Sequence, residues 1–227
     1  MKQTKLLAAA VVAALGLGMS AAHADLLYNY STNAGTNWNG WVDLGANTQQ
    51  TGVFTAGNFS VTAILTGANT LALPAIYDSA NISVSSSAGG SVVLAFAETG
   101  LASTSSGSAF FGSLTGTAGS GLTGTNTFYI ASNYPSVLNP GAPGAGMQIG
   151  TTALVHPSWN NSFNTFVSGL SNPYALVETV SLSATGSGQH LSADNTVEVP
   201  EPATLGLMGF ALIGAGLARR QRKNKAA

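Results

Sequence analysis

Two glutamates, Glu98 and Glu178, are the residues best placed to do chemistry in this chain. Val92, Leu94 and Phe96 lead up to Glu98, and Leu176, Val180 and Leu182 flank Glu178 at the same spacing of two. Side chains alternate between the faces of a β-strand, so strict alternation turns both carboxyls inward. An ionised carboxylate taken out of water is costly without a partner. The partners open to it are His, Tyr or Trp donors, backbone amides, water, or a metal ion such as calcium. Two carboxyls are also the machinery of glycoside hydrolysis, one as acid and one as nucleophile or base. Alternatively, each strand ends or bulges at its glutamate and the carboxyl reaches solvent.

Trp38, Trp41 and Trp159 are the other candidates for ligand binding. An aromatic face stacks on a sugar ring, and an indole also fills a core. Trp38-Asn39-Gly40-Trp41 holds an Asn-Gly pair of the kind that makes a tight turn. The familiar catalytic signatures are missing: there is no G-x-S-x-G, no H-E-x-x-H, no phosphate-binding loop and no EF-hand loop. His156, followed by Pro157, reads as a loop residue, and nothing gathers His190 into a triad. No catalytic residue is assigned.

Charge narrows the classes further. Every Lys and Arg lies near an end: Lys2, Lys5, Arg219, Arg220, Arg222, Lys223 and Lys225. Between Asp25 and Val199 there are none, against the carboxyls of Asp25, Asp43, Asp78, Glu98, Glu178, Asp194 and Glu198. Such a domain cannot neutralise phosphates, which argues against nucleic acid as a partner. It has no Lys or Arg to pair with a buried acid. The chain has no cysteine, so disulfides, thiolate metal sites and a cysteine nucleophile are excluded.

The elements that must position these residues read as strands. Phe59, Val61, Ala63 and Leu65 share one face, as do Ile82 with Val84, and Tyr174 with Leu176, Val180 and Leu182. Further strands are expected near Leu26–Ser31, Ala109–Leu114, Thr127–Ala131 and Phe163–Val167. Gly89-Gly90, Gly119-Ser120-Gly121, Asn139-Pro140-Gly141 and Asn172-Pro173 punctuate them. Leu65-Thr66-Gly67, Leu114-Thr115-Gly116 and Leu122-Thr123-Gly124 echo one another without a steady period, and read as Thr-Gly loops. The pattern predicts an all-β domain over residues 25–195, an antiparallel β-sandwich of jelly-roll type, with 196–202 as a linker.

The two ends have their own grammar. Lys2 and Lys5, the apolar run from Leu6 to Leu17 and Ala22-His23-Ala24 make residues 1–24 a secretory signal, with Ala22 and Ala24 as the signal peptidase site. At the other end, Val199-Pro200-Glu201-Pro202 precedes the apolar run 203–218, closed by Arg219, Arg220, Arg222 and Lys223. That run of 16 residues makes a helix about 24 Å long. This is short of a ~30 Å hydrocarbon core, a gap that snorkelling arginines and local thinning can close. The spacing predicts a transmembrane helix over 203–218 and a basic tail, 219–227, left in the cytoplasm.

At these residues the chain resembles the PEP-CTERM proteins of Gram-negative bacteria. The resemblance covers Val199 to about Lys223. It implies recognition by an exosortase, a membrane protease of transpeptidase type, with Pro200, Glu201 and Pro202 as the recognised motif. It also implies passage from an inner-membrane precursor to the cell surface or the extracellular matrix. The first expectation for function is therefore a non-enzymatic structural or adhesive protein of the surface or exopolysaccharide layer. The alternatives are a carbohydrate-binding module, with or without calcium, and a secreted glycoside hydrolase using Glu98 and Glu178.

Overall fold

The structure is a computed structural model and describes residues 25–46, 48–67, 75–78, 81–101, 107–131, 146–170 and 173–199. The signal 1–24, the motif residues Pro200, Glu201 and Pro202, the run 203–218 and the tail 219–227 lie outside the described residues.

Every regular element described is a strand. In chain order they are β1 (Asp25–Ser31), β2 (Val42–Gly45), β3 (Thr48–Gln50), β4 (Phe54–Ala56), β5 (Phe59–Thr62), β6 (Ile64–Thr66), β7 (Ala75–Asp78) and β8 (Ile82–Ser86). The long strands follow: β9 (Gly90–Leu101), β10 (Gly107–Ala118), β11 (Leu122–Ala131), β12 (Met147–Leu154), β13 (Ser158–Ser168), β14 (Tyr174–Ala184) and β15 (His190–Val199). The first sheet has the order β12-β11-β14-β9-β1-β2. In the second, β15 is paired along one edge by β8 and then β7, and along the other by β10, which also pairs β13. All pairings are antiparallel.

The alternation read from the sequence is the reason two sheets close on each other. Leu26, Leu94, Phe96, Phe128, Leu176, Val180 and Leu182 from one sheet meet Phe59, Val61, Leu65, Val84, Phe110, Leu114, Leu191 and Val197 from the other in one continuous core. A second, smaller cluster lies on the outer side of the first sheet, where Leu27, Ala97, Ala131, Ala175 and Val177 pack with Trp41 and Tyr129.

Two expectations need correction. The linker does not start at residue 196: Thr196–Val199 pair with β7 and, through Glu198, with β10, so β15 is strand to Val199. Val197 is fully buried, which anchors this stretch in the sandwich. The Leu-Thr-Gly echoes are not loops either. Residues spaced by two share a face, and Leu65, Leu114 and Leu122 are all buried. The following glycines, Gly67, Gly116 and Gly124, stand where a side chain would not fit. A Cβ on Gly116 would collide with the Trp159 ring and the Ser192 carbonyl, and one on Gly124 with the Ser181 carbonyl.

Both ends of the domain emerge at one pole. Asp25 opens β1 opposite Thr99, beside the end of β9 at Leu101 and the start of β14 at Tyr174. β15 runs from its start after β14 back toward that pole and ends at Val199.

Candidate functional site

Glu98 and Glu178 are both 0% exposed, so the reading in which they reach solvent is overturned. Neither strand ends at its glutamate. β9 continues to Leu101 and β14 to Ala184; the register holds on both sides of Glu178, and the one shift between these strands, between Tyr174 and Leu176, falls just beyond Glu98 without turning its carboxyl out. Glu98 is paired with Leu176 and Glu178 with Phe96. The two are therefore diagonal neighbours on the inner face of adjacent strands, about 7–8 Å apart at the backbone.

Glu178 binds the two sheets together. Its Oε1 accepts a hydrogen bond from Asn126 Nδ2 of β11 and another from Asn195 Nδ2 of β15, each 2.8 Å. Both asparagines are fully buried. The sequence singled out neither: Asn126 follows the alternation of β11, and Asn195 is one polar residue in a run of them. Amide donors stand in where a domain without Lys or Arg has no cation. Glu98 Oε1 lies where Gly67 leaves room: a Cβ there would be 2.9 Å from it. Tyr174 is buried as well. Its burial, and after that the charge on Glu98, holds the phenol far above the usual tyrosine range.

This centre is sealed. A glycosidic bond cannot reach carboxyls with no exposed surface, so the pair read as acid and nucleophile or base is not available to a substrate in this conformation. Among the described residues no three or more His, Asp or Glu side chains are gathered to hold a metal ion.

The tryptophans divide. Trp159, on β13, is 6% exposed and lies over Gly116 in the core, so it does not offer a stacking face. Phe163 does the same over Gly112 and Gly150. Ring-over-glycine packing fills the space that a missing side chain leaves between strands. Trp41 is partly buried against Leu27, Ala97 and Val177. Trp38 is half-buried in the strap between β1 and β2. The hydrogen-bonded turn in that strap is not at Asn39-Gly40. Thr36 N–H donates to the Asn33 carbonyl, around Ala34 and Gly35, which both have positive φ. The Ser31 hydroxyl accepts from the Asn33 and Gly35 amides and selects this site. Asn39 instead returns to β1: its N–H donates to the Tyr30 carbonyl and its Nδ2 to the Tyr30 hydroxyl. His156 lies in the β12–β13 connection, with Nδ1 2.8 Å from the Ala118 carbonyl.

The accessible aromatic surface lies elsewhere, on the outer face of the second sheet. Phe111 of β10 is 40% exposed and Phe166 of β13 is 68% exposed. Phe111 pairs with Asn164 and Ala109 with Phe166, which makes the two rings diagonal neighbours. Cross-strand polar rows run beside them. Ser113 stands between Ser162 and Thr196, and Thr115 between Asn160 and Asp194. Sequence reading missed both phenylalanines because each interrupts a polar face rather than extending an apolar one. A separate cleft of about 260 Å³ lies among β4, β5 and β8, lined by Thr55, Asn58, Phe59, Ser60, Ser85, Ser86 and Ser87. It offers hydroxyls and an amide but no group able to exchange a proton near neutral pH.

Several solved structures match part of the chain at low similarity. One is a β-1,4-galactotriose complex of TmCBM61, at 11% identity over 64% of this chain and 90% of that one, TM-score 0.32. Another is a PA14 sugar-binding domain from an RTX adhesin, at 12% identity over 79% and 91%, TM-score 0.33. A third is the N-terminal cellulose-binding domain of Cellulomonas fimi β-1,4-glucanase C, at 11% identity over 55% and 81%, TM-score 0.30. No residue role is carried across from them. No curated protein matches the chain in sequence. The end of the chain is specific: with β15 closing at Val199 and Pro200-Glu201-Pro202 following at once, the chain carries a PEP-CTERM protein-sorting motif over residues 198–223.

Proposed function

We propose that the protein is an exported, exosortase-sorted component of the cell surface or exopolysaccharide matrix, with a structural or adhesive and non-enzymatic role. The motif at 198–223 carries this reading, because it marks an exported protein for exosortase processing in Gram-negative bacteria. In this reading residues 1–24 are removed at Ala22-His23-Ala24, and 203–218 hold the precursor in the inner membrane, with Arg219, Arg220, Arg222 and Lys223 as the stop. The sealed glutamate centre supports a scaffold role, since its hydrogen bond from Asn195 joins sheet to sheet and that from Asn126 ties neighbouring strands. Deleting Pro200–Ala227 tests the proposal. The truncated protein should be released or mislocalised on fractionation, and surface retention equal to the full chain would reject it.

A second reading, binding of an uncharged polysaccharide, is favoured by the exposed Phe111 and Phe166 beside rows of Ser, Thr and Asn. Aromatic rings stack on sugar faces, and hydroxyl and amide side chains match sugar hydroxyls. Asp194 and Glu198 on that face, with no cation between Asp25 and Val199, disfavour acidic polymers. Affinity electrophoresis in neutral and in acidic polysaccharide gels, with and without a chelator, tests it. Retardation only in a neutral gel supports it, and equal mobility in every gel removes it.

A further inference from the structure

β15 is held on both edges up to the sorting motif. Its last four residues pair with β7 on one side, Thr196 opposite Asp78 and Val199 opposite Ala75. On the other side Thr196 and Glu198 lie opposite Ser113 and Phe111 of β10. Backbone amides and carbonyls of an interior strand are committed to their neighbours, so no open edge remains there. The matched motif begins at residue 198, and its first two residues are therefore part of the sheet.

The connection beyond is very short. Only Pro200, Glu201 and Pro202 separate Val199 from the apolar run that begins at Ala203. Fully extended, the four steps from Val199 to Ala203 reach about 14 Å at most. An enzyme that grips an extended peptide does so through the peptide's backbone, as in strand addition. Residues upstream of Pro200 cannot offer theirs while they remain in the sheet. Among the described residues β7 contributes four residue pairs to β15. The end of a strand nonetheless opens locally at a fraction of the cost of global unfolding.

We propose that Thr196–Val199 is a gate on sorting: this end of β15 must leave β7 and β10 before the motif is processed, and it closes again on the finished product. The fold of the exported domain thereby regulates its own release from the membrane. This inference rests on the exosortase reading above.

Pulse–chase of the full chain in its native host, with conversion followed by intact mass, provides the test. Inserting Gly-Ser-Gly-Ser-Gly-Ser between Val199 and Pro200 gives the enzyme an unpaired approach and should speed conversion relative to the unmodified chain. Ile76→Pro, opposite Glu198, weakens the β7 edge because proline cannot continue a paired strand. It should speed conversion of the normal junction and add nothing in the spacer variant. Conversion of both variants at the unmodified rate overturns the gate while leaving the exosortase reading intact. A precursor that is never shortened, in any variant, overturns both.

Discussion

Replacing Glu178 with leucine probes the polar centre most directly. Glu178 Oε1 is the acceptor for Asn126 Nδ2 and Asn195 Nδ2, and all three residues are fully buried. Leucine is close to glutamate in volume, so the packing change is small beside the polar one. Two amide donors lose their acceptor where water does not reach. Each such loss costs about 1–3 kcal/mol, so Glu178→Leu should destabilise the domain by roughly 2–6 kcal/mol. Glu178→Gln keeps an Oε1 that accepts both bonds and should cost far less. Converting Asn126 and Asn195 to leucine together with Glu178 removes the stranded donors, and should recover much of the loss. Urea denaturation of residues 25–199, which contain every described strand, measures all four proteins. A Glu178→Leu domain within about 0.5 kcal/mol of the parent, inside the range of ordinary surface changes, would refute the reasoning. So would a triple variant less stable than Glu178→Leu alone.

Gly116→Ala should cost about 1–3 kcal/mol, since the new Cβ meets both the Trp159 ring and the Ser192 backbone; thermal denaturation against Ser120→Ala, on an exposed turn, gives the comparison. Tyr174 supplies a pH effect. Its phenol is raised in the folded state, by burial first and Glu98 second, above a reference near 10. Its contribution is therefore intact below about pH 10 and is lost as pH climbs from there toward the folded value. Tyr174→Phe should flatten that loss in alkaline denaturation curves, and an unchanged slope would count against the assignment. Phe111→Ser with Phe166→Ser should abolish retardation in neutral polysaccharide gels while leaving the urea midpoint nearly unchanged, because both rings are exposed.

The strand faces were legible because they depend on neighbours two residues away. Phe59, Val61, Ala63 and Leu65 read as one face and are all buried together. The same rule turned Glu98 and Glu178 inward, and the structure keeps them there. What local order cannot express is the partner. Asn126 lies 52 residues from Glu178 and Asn195 lies 17 away, yet both reach one carboxylate oxygen. Trp159 read as a candidate platform because nothing nearby shows that Gly116, 43 positions earlier, leaves a hole for its ring.

By itself the sequence determined the sorting motif at 198–223, the absence of Lys and Arg between Asp25 and Val199 and the strand periodicity, since each is a property of residue order along one stretch of chain. Tertiary structure decided which polar groups satisfy the buried glutamates, which aromatics are core and which are surface, and that β15 runs as a paired strand into the sorting motif. The division follows from how the energy arises. Transport signals and strand alternation are read from consecutive residues, whereas burial and hydrogen-bond satisfaction depend on segments far apart in sequence that meet only when the two sheets close.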